Sequence, residues 1–205
     1  MPTFATLAIF IPTMFFISIT PGMCMTLAMT LGLKVGLRRT LWMMLGEVFG
    51  VAIVAVSAVM GAATIMLNYP TLFTWFKYIG GLYLIYLGCK MYWSGIQLSL
   101  STEMHITLSR YALISQGFVT AIANPKGWVF MLSILPPFIE VSEPITYQLF
   151  ALVTIIMLSE FICMLIYASG GKGLKTLLNK GNNIRRMNGI SGTLLIGVGI
   201  WLALS

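Results

Sequence analysis

Long apolar runs alternate with short polar or charged connections along the whole chain, and this alternation predicts membrane-spanning helices. Crossing the hydrocarbon core of a bilayer takes about 20 predominantly apolar residues. Six segments reach that length, over approximately 4–30, 41–67, 71–93, 111–139, 145–169 and 187–205. Two of them are interrupted. Thr20-Pro21-Gly22 breaks the first, and Asn124-Pro125-Lys126-Gly127 breaks the fourth. Proline lacks an N–H and clashes with the preceding turn, so each run is expected to end one half-helix and begin another. Within a bilayer such a break is tolerated only where the freed backbone groups meet protein or water.

Composition agrees with this pattern. Of the 205 residues, 59% are hydrophobic and only 8% charged, against about 25% charged in a soluble domain. A soluble globule is excluded. The net charge of +7 does not point to nucleic acid, because the basic residues sit between the apolar segments. Lys34, Arg38 and Arg39 occupy the first connection. Lys90 and Arg110 flank the third, around Glu103 and His105. Lys172, Lys175, Lys180, Arg185 and Arg186 fill the fifth. The second connection, around Asn68-Tyr69-Pro70, has no charge, and the fourth has only Glu140 and Glu143. Lys and Arg concentrate in cytoplasmic loops, so both termini are expected on the outer face. Lys77, near the outer end of the third segment, is expected to snorkel to the interface. The uncharged start of the chain lacks the basic region and cleavage site of a signal peptide, so the first segment is expected to stay as a helix. Cys24, Cys89 and Cys163 all lie in apolar segments and do not form a disulfide framework.

The second half of the chain repeats the layout of the first. Pro21 matches Pro125, and an acidic residue follows in the next segment of each half, Glu47 and Glu160. Lys77 aligns with Arg186, Gly80 with Gly189, and Gly88 with Gly197. Units with an odd number of crossings must lie in opposite orientations, which makes this an inverted-topology repeat, a common transporter design. The expected fold is an all-α integral membrane protein: six transmembrane helices in two inverted three-helix repeats, with helices one and four broken. The whole chain, 1–205, is expected to form one transporter domain, with repeats of approximately 1–100 and 101–205.

Three charged side chains lie well inside the predicted spans: Glu47, Lys126 and Glu160. Charge at the bilayer centre costs roughly 2.5–3.5 kcal/mol on insertion scales, so such residues face a bundle interior or water and mark function by default. A structural ion pair is the plainer alternative. Glu47 lies about two turns into its span and is expected to be able to reach the interface. The half-helices after the breaks, beginning at Gly22, Met23 and Cys24 and at Gly127 and Trp128, offer unpaired N–H groups and a positive dipole end. Such ends bind carboxylates. Thr20, Pro21, Gly22, Met23, Asn124, Pro125, Lys126 and Gly127 are therefore the candidate substrate-binding residues. Glu47 and Glu160 are candidates for binding an ammonium group or for coupling. Together they suit a zwitterion.

Other features are plainer. Gly80, Gly88, Gly189 and Gly197 recur at eight-residue spacing and are expected to let helices three and six pack closely, within one chain or between copies of a homo-oligomer. The fifteen methionines are core filler. With a single His, an intramembrane hydrolase is hard to build, and no phosphate-binding loop is present for coupling to ATP. An enzyme, a bound cofactor and a resident metal are not expected. Three rivals remain open. Cys24 and its neighbouring methionines would suit a soft metal cation, making the chain a metal-cation exporter. Cys24 and Cys163 would suit a transmembrane thiol-redox carrier. A membrane assembly factor without transport is the third.

The residues also carry a family resemblance. Thr20-Pro21-Gly22 resembles the Pro-Gly signature of the LysE family of amino-acid exporters. The run from Tyr78 to Gly88 is similar to the third helix of its RhtB (homoserine and threonine efflux) branch. The run from Gly117 to Phe130 resembles that branch's Asn-Pro-Lys motif, and Leu135-Pro136-Pro137-Phe138-Ile139 its usual Leu-Pro-x-Phe end. The resemblance implies secondary export of small neutral amino acids or derivatives across the bacterial inner membrane, driven by the proton gradient as an antiport. It also implies an acidic residue, usually Asp, at the position of Glu160. Met23-Cys24-Met25 departs from the Pro or small residue usual after Pro-Gly, and Glu47 is not acidic throughout the branch.

Overall fold

The computed structural model describes residues 4–93, 109–139, 143–179 and 183–204. All regular structure among the described residues is helical. The first apolar segment forms α1 (Phe4–Ile19) and α2 (Met23–Val35), bent by 57° at the Pro-Gly break. α3 (Leu37–Asn68) and α4 (Pro70–Trp93) follow. The fourth segment divides into α5 (Arg110–Ile122) and α6 (Pro125–Ile134), bent by 54°, and a 3-10 turn at Pro136–Phe138 carries the chain out. α7 (Ile145–Asn179) and α8 (Asn183–Leu204) complete the order. Leu37–Gly61 and Ile145–Gly170 are each long and apolar enough to cross a membrane, and each bent pair meets the same requirement as a unit.

The charged connections are tighter than the sequence pattern predicts. Lys34 lies in the last turn of α2, and Arg38 and Arg39 lie at the start of α3. Only Gly36 separates the two helices, at φ 81°, a conformation that side chains with a Cβ disfavour. α7 runs on to Asn179, so Lys172 and Lys175 ride on a helix rather than a loop. Glu103, His105, Glu140, Lys180 and the side chain of Lys77 lie outside the described residues.

Two backbone-to-backbone approaches organise the packing. A Cβ at Gly117 of α5 would fall 2.0 Å from the Met43 carbonyl oxygen, and one at Gly46 of α3 would fall 1.9 Å from that of Ile114. Only glycine allows this contact. α4 and α8 cross in the same manner. A Cβ at Gly88 would lie 2.6 Å from the Gly192 oxygen, and one at Gly199 would lie 2.6 Å from that of Gly81. These pairs make α4 and α8 antiparallel. The eight-residue spacing is corrected here: Gly88 sits at the contact, but Gly197 has nothing within 4 Å and Gly189 meets only a tyrosine ring at 3.6 Å. The contacting set, Gly81, Gly88, Gly192 and Gly199, steps by seven residues. At 3.6 residues per turn, that step returns more nearly to one face than a step of eight.

Buried apolar side chains form two clusters. One joins Phe10 and Met14 of α1, Val54 and Ala55 of α3, Ile134 of α6 and Ile156 of α7. The other joins Leu27 and Met29 of α2, Met43 of α3, Leu113 of α5 and Tyr167 of α7. Large apolar side chains also point outward, among them Ile9, Phe49, Leu82, Phe150 and Leu158. An apolar surface of this extent suits lipid rather than water.

Candidate functional site

The first break leaves carbonyls at the end of α1 without their helical partners. The structure supplies donors to them. The Thr20 hydroxyl donates to the Phe16 oxygen at 2.8 Å, and the Thr20 N–H to that of Ile17 at 3.3 Å. The remaining donors come from distant parts of the chain. Lys126 Nζ donates to the Ile17 and Thr20 oxygens at 3.3 and 3.4 Å. The Tyr167 hydroxyl donates to the Ile19 oxygen at 2.8 Å, and Cys163 Sγ to that of Phe15 at 3.9 Å. The ammonium of Lys126 thus sits at the negative end of the α1 dipole, where a cation is favoured. It also lies 5.5 Å from the Phe130 ring centroid.

The second break is closed by its own neighbourhood. The Ala123 N–H donates to the Val119 oxygen at 2.9 Å, and the Asn124 N–H to that of Ala121 at 3.2 Å. The indole N–H of Trp128 donates to the Ile122 oxygen at 2.8 Å. The half-helix starts at Pro125, earlier than the Gly127 and Trp128 start expected from sequence, because proline is well suited to the first helical position. Asn124 caps it, its Oδ1 accepting from the Lys126 N–H at 3.1 Å. At the start of α2 the capping residue is Gly22, with no side-chain cap. The positive end left open is therefore that of α2. A Cβ on Gly22 would lie 3.7 Å from Lys126 Nζ, so the ammonium stands over this open end.

The two breaks border one cavity of about 550 Å³ of empty space, counting its open mouth. Thr20, Gly22, Met23, Asn124, Lys126, Gly127, Glu47 and Glu160 all line it. Pro21 is buried outside the lining, and Pro125 contributes as the first residue of α6. The Thr20 hydroxyl is committed to the Phe16 carbonyl. Asn124 is committed through Oδ1 to its own helix, and its Nδ2 donates to Cys24 Sγ at 3.6 Å. That contact ties the two breaks together.

The carboxyls differ. Glu160 is half-buried, and its Oε1 accepts from the Ser18 hydroxyl at 2.9 Å. Lys126 directs two of its three ammonium donors at α1 carbonyls, and among the described residues no ion pair within 4.0 Å joins it to Glu160. Glu47 is 0% exposed, and neither of its oxygens has a hydrogen-bond partner. This corrects the expectation that Glu47 reaches the interface. α5 packs against the backbone of this turn of α3 at Gly117, and Glu47 is a buried residue of the cavity lining.

Ser18 and Tyr167 escaped the sequence reading, while Cys163 and Trp128 appeared there in other roles. Ser18 and Tyr167 are single hydroxyls in apolar runs, and their partners lie 142 and 148 residues away. Trp128 carried a weak signal, an indole N–H four residues after the capping asparagine. Cys163 sits on the α1 carbonyl, and Asn124 stands against Cys24 where a redox partner thiol would have to be. Among the described residues no group of three or more His, Cys, Asp or Glu is placed to hold a metal.

Known proteins similar in sequence to this chain are membrane proteins and transporters. A sequence model of one family, described as LysE type translocator, matches residues 15–205. A leucine efflux protein of Enterobacter sp. (strain 638) is 29% identical over 191 residues, covering 92% of this chain and 90% of its own. The membrane protein YrhP of Bacillus subtilis is 29% identical over 204 residues, covering 96% and 97%. A membrane protein of Vibrio cholerae is 28% identical over 186 residues, covering 91% and 90%. No solved structure matches the chain.

Proposed function

Because the chain belongs to the LysE type translocator family, we propose that it exports small neutral amino acids or their derivatives across the bacterial inner membrane. It is a multi-pass membrane transporter of bacterial type and not an enzyme. The observation that carries the substrate reading is the composition of the cavity. Lys126 and the open end of α2 offer a place for a carboxylate, and Glu47 and Glu160 offer one for an ammonium group. Met14, Val51, Val54 and Phe130 give the same space apolar walls. A zwitterion with an uncharged side chain suits that combination. The efflux relatives make L-leucine the first compound to try, and the Asn-Pro-Lys context favours the RhtB branch.

In this reading the six apolar segments form one domain over 1–205, as two inverted three-helix repeats that rock around the cavity. The α4–α8 crossing supports it. Exchanging the two helices carries the Gly81–Gly199 contact onto the Gly192–Gly88 contact, as a two-fold relation requires. The basic connections face the cytoplasm and both termini face outward. No cofactor is required. Export runs as proton antiport, with Glu47 and Glu160 as the acidic groups through which substrate and proton are linked. A second copy of the chain remains compatible with this scheme.

Reconstitution tests it directly. Liposomes holding the protein are expected to move L-leucine against its gradient when a pH gradient is imposed, and to stop when a protonophore collapses that gradient. If leucine and the other neutral amino acids stay unmoved, and overproducing cells gain no resistance to toxic amino-acid analogues, the reading falls.

A further inference from the structure

Glu47 and Glu160 line the same cavity but are built into it differently. Glu160 already has a protein donor, the Ser18 hydroxyl at 2.9 Å, which fixes its orientation against α1. Glu47 has no partner at full hydrogen-bond geometry, is 0% exposed, and lies on the turn of α3 where Gly46 and Gly117 bring the α3 and α5 backbones into contact. An isolated carboxylate without a partner in such a place is too costly to persist. It must carry a proton or receive a cation. The groups around it are few. Among the described residues α2 offers the Cys24 thiol, near enough to act on the carboxyl as a weak S–H donor although the contact does not meet full hydrogen-bond geometry. α6 offers Lys126, whose ammonium is engaged by the Ile17 and Thr20 carbonyls. α7 offers Glu160, and α5 contributes the uncharged Ala121. Among the described residues no cation makes a hydrogen bond or ion pair with Glu47, which lines the cavity.

We propose that Glu47 is the exchange site of the transporter: a carboxyl that holds a proton when the cavity is empty and gives it up to bind the primary ammonium group of the substrate. Glu160, fixed by Ser18, is a positioning residue whose carboxyl keeps one orientation against α1. The step balances. The Glu47 O–H releases its proton to water in the cavity as the alkylammonium arrives, and one cation replaces another on the same two oxygens. The inference rests on the amino-acid reading for its setting, but it concerns only the ammonium end of the ligand.

The test uses the unmodified full chain in liposomes and dicyclohexylcarbodiimide, which attacks protonated carboxyls in apolar surroundings, with the modified residues mapped by peptide mass spectrometry. Glu47 is expected to be the main site, with Glu160 at least several-fold slower. Isoamylamine, which has leucine's ammonium end but no carboxylate, is expected to slow modification of Glu47 about ten-fold when present at roughly ten times its Kd. Isocaproate, which has the carboxylate but no ammonium group, is expected to leave it unchanged. L-leucine is a separate arm. If isoamylamine protects Glu47 and no amino acid does, the exchange role stands and the amino-acid reading falls. Modification of Glu160 in preference to Glu47, or a Glu47 that no ammonium compound protects, overturns the assignment.

Discussion

The first helix break borrows most of its closure from distant parts of the molecule, with only Thr20 serving locally, whereas the second closes itself. At the end of α1 the freed carbonyls take donors from Lys126 on α6 and from Tyr167 and Cys163 on α7. At the end of α5 the donors are the Ala123 and Asn124 N–H groups and the Trp128 indole, all within a few residues. The two following half-helices differ in the opposite sense. α6 is capped by Asn124, while α2 starts at a bare glycine. The contrast suggests a division of labour. Bonds spanning distant elements can be exchanged when those elements shift, so the first break is the natural moving part. A break sealed by its own turn travels as a unit. In the proposed cycle the second would be the rigid carrier that presents Lys126 to the first.

Removing Lys126 gives the largest expected effect, because it acts on both sides of this contrast. Lys126→Met withdraws an ionic donor from the Ile17 and Thr20 carbonyls and the cation that stands over the α2 start. Leucine flux in liposomes is expected to fall to background. Stability, followed by thermal unfolding in detergent, is expected to drop by about 1–3 kcal/mol, the range for losing a charged hydrogen bond to a buried acceptor. Lys126→Arg keeps the charge in a planar shape and is expected to restore more stability than flux. A Lys126→Met protein that still carries leucine would remove the distinction between the two breaks at its centre.

How much of this was legible in sequence follows from the reach of each effect. Pro21 and Pro125 marked the breaks because a missing N–H acts within a turn, whatever surrounds it. The depth of Glu47 was misjudged because distance along a span does not say which neighbour covers a side chain. The element packed on that turn of α3 is α5, whose close approach requires that Gly46 and Gly117 lack a Cβ. Ser18 and Tyr167 were silent for a related reason. A lone hydroxyl in a membrane helix can bond its own preceding turn, as Thr13 does with Ile9 and Thr30 with Thr26. Only the folded chain shows that these two bond across helices instead. The α4–α8 glycines were half legible. Their presence was plain, but the face they share depends on a crossing geometry that spacing alone fixes only to within a residue or two.

Tyr167→Phe sharpens the comparison next. The ring stays and one donor to the Ile19 carbonyl goes. Hydrogen bonds between membrane helices average about 0.6 kcal/mol with an upper range near 1.7, and this one serves a helix end, so a loss of about 1 kcal/mol is expected. Flux is expected to change as well, by a few-fold, since the bond joins α7 to the proposed moving part. An unchanged transport rate with the stability loss present would mean that the closure of the first break is static.

The smallest effect is expected at Trp128, and it is the sharpest control. Trp128→Phe removes the indole donor to the Ile122 carbonyl but keeps an aromatic ring in a half-buried position. The Ala123 and Asn124 N–H groups still close the break, and Asn124 still caps α6. A cost of about 0.5 kcal/mol is expected, the low end for one hydrogen bond with redundant neighbours. Flux should stay near the unsubstituted value, because a locally sealed turn that loosens slightly still presents Lys126 from the same helix. Should Trp128→Phe instead abolish leucine movement while unfolding at the same temperature, the second break would also have to rearrange during transport, and the two breaks would be equal partners in the motion.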